Sequence, residues 1–123
     1  MRISLLAIPL LLVLPLPLHS EVEARMPNMT AVDPVAGTSG DVLTVQGTNL
    51  GEDDVAAVFL TDGKDDFKAV ILAQTTTSIK FKIPPEAKPG RFALMVLTKG
   101  KDPRLIEEPV KVTVEPADSR PAN

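Results

Sequence analysis

Short apolar runs recur between residues 29 and 115, and several of them alternate with polar residues. In residues 78–83, Ile79, Phe81 and Ile83 alternate with two lysines. A period of two places successive side chains on opposite faces of a β-strand. Turn residues separate the runs roughly every 8–12 positions, a spacing that is typical of an all-β sandwich or barrel.

No segment has a sustained helical period, and the pattern predicts seven strands. They are residues 29–32, 41–46, 55–61, 67–73, 78–83, 91–98 and 109–115. A single helical turn within residues 50–57 is the best helical candidate. The Asp62-Gly63 pair predicts a tight hairpin, because both residues tolerate a positive φ. Seven short strands in about 90 residues match an immunoglobulin-like β-sandwich, so we expect a single all-β domain.

Residues 1–24 have the layout of a secretory signal peptide. Arg2 supplies a positive charge, and residues 3–18 are apolar almost throughout. This run is interrupted by prolines and is shorter than the roughly 20 residues that a membrane-spanning helix needs. Cleavage after Ala24 fits the small-residue rule, and cleavage after Ser20 is the alternative.

These features predict a division into a signal peptide (residues 1–24), an immunoglobulin-fold domain (residues 25–116) and a disordered C-terminal tail (residues 117–123). We therefore expect the protein to be secreted, periplasmic or at the cell surface. Once the signal peptide is removed, no stable membrane insertion is expected.

The composition of the mature chain argues against catalysis. The chain has no Cys, Trp or Tyr, and its one histidine, His19, lies in the signal segment. Neither a Ser-His-Asp triad nor a Cys/His zinc site can therefore be built. Loss of Arg2, Glu21 and Glu23 from 13 basic and 16 acidic residues leaves 12 and 14. This mildly acidic balance argues against a nucleic-acid partner, which favours a basic face.

Four glycines fall within residues 35–51, VAGTSGDVLTVQGTNLG. A phosphate-binding loop needs a glycine-rich turn that opens a helix, but here the turn opens a predicted strand. We interpret Gly37 and Gly40 as shaping the turn into the second strand. Gly47 and Gly51 are interpreted as permitting turn or bulge conformations.

Residues 32–51, VDPVAGTSGDVLTVQGTNLG, resemble the opening of the IPT/TIG domain family, an immunoglobulin-like fold shared by plexins, Rel-type transcription factors and bacterial surface proteins. The matching positions are Pro34, Gly37, Gly40, Thr44, Gly47, Asn49, Leu50 and Gly51. Residues 78–84 and 89–96 resemble later strands of the family, so the likeness covers roughly residues 27–115.

The chain departs from this pattern at residues 57–60, AVFL, where many members carry a glycine-containing segment. The resemblance implies an immunoglobulin-like fold and a role as a binding or spacer module. It implies no catalytic residues and no cofactor. A protein partner or self-association is therefore expected.

The candidate interface residues are Phe59, Met95 and Leu97. If alternate large side chains of residues 91–98 face the core, Met95 and Leu97 face outward. The third strand is apolar on both faces, so either Val58 and Leu60 or Ala57 and Phe59 face outward beside them, and we take Phe59 as the candidate. Ile71 is a further candidate for this patch. Such a patch marks an interface unless a loop or the C-terminal segment covers it.

Two other functions remain open. A carbohydrate-binding module is the first, although the chain has only four Phe to form a platform for a sugar. A minimal hydrolase using carboxylates such as Asp54 or Asp66 is the second.

Three further features have simple structural interpretations. The acidic residues 52–54 and 62–66 are interpreted as solvated loops rather than a calcium site, because they lack the ordered ligand spacing of an EF-hand. Asn49 is interpreted as bonding to nearby backbone amides in its turn. Asn28 begins a glycosylation sequon, which matters only in a host that glycosylates secreted proteins.

Overall fold

The computed structural model describes residues 25–117, which form nine β-strands. The strands are β1 (Asn28–Asp33), β2 (Ala36–Gly37), β3 (Val42–Thr48), β4 (Val55–Thr61), β5 (Asp66–Lys68), β6 (Val70–Gln74), β7 (Ser78–Lys82), β8 (Gly90–Thr98) and β9 (Leu105–Val114). The predicted signal peptide and residues 118–123 of the predicted tail lie outside the described residues.

The strands form two sheets, in the orders β1-β3-β7-β6 and β2-β9-β8-β4-β5. All neighbouring strands are antiparallel except β2, which pairs in parallel with β9. The alternation seen in the sequence turns one side of each sheet toward a shared core. This arrangement confirms the predicted immunoglobulin-like β-sandwich.

The core lies between the two sheets. The four-stranded sheet contributes fully buried side chains such as Leu43, Ile79 and Phe81. The five-stranded sheet contributes Leu60 and Leu94, which are also fully buried. Because these residues alternate with more exposed ones, each strand presents one packed face and one outer face.

The predicted strand at residues 67–73 is in fact two strands in different sheets. β5 pairs with β4, whereas β6 pairs with β7. Between them, the buried Ala69 donates its N–H to the carbonyl of Val58 at 2.9 Å. The apolar run continues through this crossing, so the sequence pattern does not reveal it.

The last strand begins four residues earlier than predicted, at Leu105. A register shift lets Met95 pair with Glu107 and Ala93 pair with Lys111. Pro109 lies within this irregularity, where it need not donate to the ladder. The prediction started the strand at the proline because a regular strand interior does not tolerate one.

Of two predicted turns, the one before β4 forms, and the hairpin after β4 differs in length. Residues 51–54 form one turn, in which the N–H groups of Asp54 and Val55 both donate to the Gly51 carbonyl, and β4 then follows directly. The hairpin after β4 has a loop of residues 62–65, longer than the predicted two-residue turn, with Gly63 at φ 94°. The positive φ explains why glycine is needed there.

Candidate functional site

The outer side of the five-stranded sheet carries an apolar surface formed by residues from β4, β8 and β9. Phe59 lies opposite Met95, and Ala57 lies opposite Leu97, across the β4–β8 pairing. Leu97 in turn lies opposite Leu105 of β9. Residues directly opposite each other in a ladder point to the same face. We call Ala57, Phe59, Met95, Leu97 and Leu105 the outer apolar face.

Strand alternation places the candidate residues Phe59, Met95 and Leu97 on the outer side of the sheet. Phe92 and Leu94 are buried in the core, whereas Met95 and Leu97 are only half-buried. Phe59 is likewise half-buried between fully buried neighbours. Leu105, which the sequence analysis did not single out, is 56% exposed. An apolar leucine this exposed, beside three half-buried apolar side chains, makes the face a candidate interface.

Charged residues border the outer apolar face on both sides. Lys68 of β5 lies opposite Phe59, and Glu107 of β9 lies opposite Met95. The row across the sheet is therefore Lys68, Phe59, Met95, Glu107. The two charges are three strand spacings apart, about 14 Å. Both side chains are exposed.

A second row repeats this arrangement with the charges reversed. Asp66 of β5 lies opposite Thr61 of β4, Thr61 opposite Ala93 of β8, and Ala93 opposite Lys111 of β9. The β5 edge thus carries one lysine and one aspartate, and the β9 side carries one glutamate and one lysine.

Ile71 does not belong to this surface, contrary to the sequence-based expectation. It lies in β6 of the other sheet, opposite Phe81, and packs against the core. The cause is the crossing at Ala69, which separates β6 from β4 and β8. Phe67, just before the crossing, also faces inward and makes an edge-to-face contact with Phe92, with ring centroids 5.8 Å apart.

The carboxylate of Asp62 organises the hairpin loop. Its Oδ1 accepts hydrogen bonds from the N–H groups of Lys64 and Asp65 at 2.8 and 2.7 Å. These bonds, that from Asp65 first, favour the charged carboxylate and hold the pKa of Asp62 below its ordinary value. Within residues 25–117, no three His, Cys, Asp or Glu side chains are grouped as metal ligands would be.

The two carboxylates considered for hydrolysis lie at opposite ends of β4. Asp54 directly precedes the strand, and Asp66 pairs with Thr61 at its far end. Asp54 is seven positions before Thr61, and seven positions along a strand correspond to about 23 Å. The carboxyl pair of a glycosidase is separated by roughly 5–10 Å, so these two residues do not form such a pair.

Glu108 is a buried carboxyl group that the sequence analysis missed. It is 4% exposed, and its Oε1 accepts a hydrogen bond from the Met29 N–H at 2.9 Å. Its Oε2 has no hydrogen-bond partner among the described residues. Burial removes water from the charged form and raises the pKa of Glu108, and the bond from Met29 opposes this only in part. The sequence contained a signal for this burial. Glu108 is two residues before Val110, so the period of two places both side chains on the core-facing side of β9.

Asn49 has a different role from the predicted bond to nearby amides. It has φ 56°, and its Nδ2 donates to the carbonyl of Met26 at 3.0 Å. The side chain therefore ties the turn after β3 to the segment that leads into β1. Asparagine is among the few residues that tolerate this backbone conformation.

The four-stranded sheet carries a shallow polar groove of about 450 Å³ on its surface. The residues that line it are Thr30, Gln46, Gly47, Thr48, Thr77 and Ser78. Hydroxyl and amide groups of this kind can hydrogen-bond a polar ligand. None of the four Phe residues lines the groove.

Two packed, mainly antiparallel sheets of this topology define an immunoglobulin-like β-sandwich, which is a class of domain rather than a single function. The model of the IPT/TIG domain family matches residues 27–114. The chain therefore belongs to the IPT/TIG domain family. A comparison with curated proteins finds no match. Among residues 25–117, no helix is long and apolar enough to span a membrane.

Solved structures share the fold at low sequence identity. A protein of unknown function from Bacteroides thetaiotaomicron matches with TM-score 0.62 and 17% identity over 74% of this chain and 22% of its own. An auxiliary nutrient binding protein from Bacteroides ovatus matches with TM-score 0.53 and 21% identity over 74% and 21%. The γ-CGTase of Alkalophilic bacillus clarkii matches with TM-score 0.50 and 20% identity over 67% and 12%. This chain thus corresponds to a small part of each of these proteins.

Proposed function

We propose that this protein is an exported, non-catalytic binding module that associates with a second copy of itself through the outer apolar face. Membership of the IPT/TIG family and the fold shared with a nutrient binding protein support a binding role without catalysis. The signal-peptide pattern of residues 1–24 supports export. The observation that carries the proposal is the arrangement of apolar and charged residues across the five-stranded sheet.

The charge pattern of this sheet is complementary to itself. Two copies can face each other through a two-fold axis that runs parallel to the strands. This axis places Lys68 of each copy over Glu107 of the other, and Asp66 over Lys111. Phe59 then lies over Met95 in the centre. Isologous interfaces have this property, in which residue i meets j and j meets i.

The energetic contribution is expected to come from the centre of the face. Aromatic and methionine side chains are enriched in interface cores, whereas charges at the rim mainly select the partner. Self-packed sheets lie about 10 Å apart, which leaves room for one layer of side chains from each copy. Because the apolar residues are half-buried already, we expect a weak dimer that depends on concentration.

The experiment is size-exclusion chromatography with light scattering on residues 25–123 over a range of concentrations. This fragment contains the whole core cluster of the described residues, from Met29 to Val114, so we expect it to fold by itself. We expect a concentration-dependent dimer that Leu97→Asp abolishes. Leu72→Asp is the matched control, because Leu72 is 48% exposed on β6 of the other sheet. A monomer at every concentration, or equal loss in both variants, would contradict the proposal.

Carbohydrate binding is a second candidate function, carried by the polar groove of the four-stranded sheet. Its threonine, serine and glutamine side chains offer donors and acceptors to sugar hydroxyls. The groove lacks the aromatic platform on which sugar rings often pack. Isothermal titration of a panel of soluble polysaccharides tests this candidate, with Gln46→Ala as the variant. Binding that Gln46→Ala abolishes and Leu97→Asp leaves intact would favour the groove.

A further inference from the structure

The segment that leads into β1 is held at three consecutive residues. The backbone N of Arg25 donates to Asp54 Oδ1 at 3.0 Å. The Met26 carbonyl accepts from Asn49 Nδ2 at 3.0 Å, and Pro27 is buried. Such a short segment is thus well ordered before the sheet begins.

Asp54 is placed to hold this segment against the sandwich. It is 3% exposed, and its second oxygen, Oδ2, lies 3.7 Å from Arg25 Nε. Its N–H donates to the Gly51 carbonyl, and its own carbonyl accepts from the Lys99 N–H at 3.1 Å. The residue therefore joins the turn before β4 to the end of β8, while its carboxylate points at the backbone nitrogen of Arg25.

We propose that Asp54 is the binding site for the α-ammonium group that cleavage after Ala24 creates on Arg25. This inference rests on the proposed cleavage and not on the proposed dimer. Hydrolysis of the Ala24–Arg25 peptide bond transfers the hydroxyl of water to the Ala24 carbonyl carbon and a proton to the Arg25 nitrogen. That nitrogen takes up another proton at neutral pH and becomes a cation with three N–H donors.

Cleavage therefore changes the chemistry of a contact that already exists. In the precursor, the Arg25 nitrogen is a neutral amide with a single N–H. In the mature chain, an ammonium group faces the same buried carboxylate, so the attraction between two opposite charges is added to the existing hydrogen bond. The mature domain is more stable than the precursor, which is easier to unfold before it is processed.

The test compares two forms of the protein that differ only in where they start. One begins at Arg25 and the other at Val22, which restores the natural peptide amide at Arg25. Both are released from a cleavable N-terminal fusion and unfolded in urea at pH 7. We expect the folding equilibrium constant of the chain that begins at Arg25 to be about five- to tenfold greater.

Three variants test whether this stability difference comes from the contact between the Arg25 α-ammonium group and Asp54. Asp54→Asn keeps an acceptor oxygen but removes the charge, and it should abolish the difference between the two starts. Asp53→Asn, on the exposed part of the same turn, is the matched control and should preserve it. Arg25→Ala removes the guanidinium but retains the α-ammonium group, and it should preserve most of the difference.

Equal stabilities of the two starts would overturn the proposal, as would a difference that persists undiminished in Asp54→Asn. If Asp54→Asn does not fold, the proposal is still tested by the stability difference between the two starts in the unmodified sequence and by a crystal structure of the mature chain. A structure with the Arg25 nitrogen away from Asp54 overturns the assignment. Mass spectrometry of the exported protein tests the cleavage itself, and a start other than Arg25 removes the maturation role without affecting the dimer.

Discussion

Phe59 and Met95 lie directly opposite each other on the adjacent antiparallel strands β4 and β8, and both remain half-exposed on the outer side of the five-stranded sheet. They are 36 positions apart in the sequence and are flanked in the same row by Lys68 and Glu107. This row provides a test of the proposed two-fold axis that does not depend on apolar contacts.

Charge reversal at the two ends of the row should weaken dimerisation, and combining the reversals should restore it. Lys68→Glu alone places like charges over Glu107 of the other copy, and Glu107→Lys alone does the same over Lys68. The double variant re-forms both opposite-charge pairs. We expect each single variant to weaken the dimer about fivefold, in the range of partly exposed ion pairs.

Sedimentation equilibrium at low salt measures these dissociation constants. Lys80→Glu is the control, because Lys80 is exposed on the other sheet. If the double variant loses as much dimer affinity as the two single losses added together, Lys68 and Glu107 do not meet across the axis.

Gly47→Ala should destabilise the domain through a steric conflict with β1. A Cβ at Gly47 would come within 1.9 Å of the backbone carbonyl oxygen of Asn28, so β1 would have to shift. Overpacking of this kind costs about 1–3 kcal/mol of unfolding free energy. Urea denaturation followed by circular dichroism measures the loss.

Gly51→Ala is the matched control for this effect. Its Cβ would lie 3.3 Å from the Thr76 side chain and no closer than 3.6 Å to the Thr76 backbone, which is a far milder contact than that at Gly47. A loss of stability at Gly47 no greater than that at Gly51 would show that β1 approaches β3 less closely.

Glu108 should make the folded domain less stable as the pH rises. Its pKa in the folded state is raised above the ordinary value of 4.5. The folded state therefore retains the proton to a higher pH than the unfolded chain. The contribution of protonated Glu108 to the unfolding free energy is fully present below about pH 4.5. It is lost as the pH rises through the raised pKa of the folded state.

Glu108→Gln should remove this pH dependence because it cannot ionise. We expect the unfolding free energy of the unmodified chain to fall, relative to that of Glu108→Gln, as the pH rises above about 4.5. Glu115→Gln changes an exposed carboxyl and should follow the unmodified chain. Parallel pH profiles for the unmodified chain and Glu108→Gln would show that the pKa of Glu108 is not raised.

Asp62→Ala should loosen the β4–β5 hairpin loop without unfolding the sandwich. The change removes the acceptor of the Lys64 and Asp65 N–H groups, which should then exchange with solvent faster. Asp62→Asn retains an acceptor oxygen and should preserve much of the protection. Hydrogen exchange followed by NMR makes the comparison.

The same loop should loosen in acid in the unmodified chain. The pKa of Asp62 is held below its ordinary value of 3.8, so its contribution is present above 3.8 and is lost as the pH falls through the lowered value. Protection that is unchanged in Asp62→Ala would show that the carboxylate does not order the loop.

Much of the fold could be predicted because alternation is a local property. Residues such as Ile79 and Phe81 alternate with lysines, and this period of two indicates both the strand and its buried face. The same rule indicated that Met95 and Leu97 lie on one face of their strand if Phe92 and Leu94 face the core. For the third strand, which is apolar on both faces, only the structure shows that Phe59 faces outward. The IPT/TIG resemblance rested on turn residues, which mark where the strands end.

The missed features depend on which strand lies beside which. The crossing at Ala69 moves Ile71 into the other sheet, although the apolar run is continuous in the sequence. Pro109 was predicted to start a strand, but a register irregularity accommodates it within β9. Glu108 was missed because an isolated glutamate ordinarily remains in water.

By itself, the sequence determined the class of fold, the buried face of strands that alternate clearly, such as β7, and the presence of more apolar residues than one core face needs, because side-chain period and turn chemistry act over a few residues. The tertiary structure alone decided that Lys68 and Glu107 lie at the two ends of one row, and that Asp54 faces the backbone of Arg25. These relationships join residues that are 39 and 29 positions apart. They follow from strand order and register, which the whole core selects together.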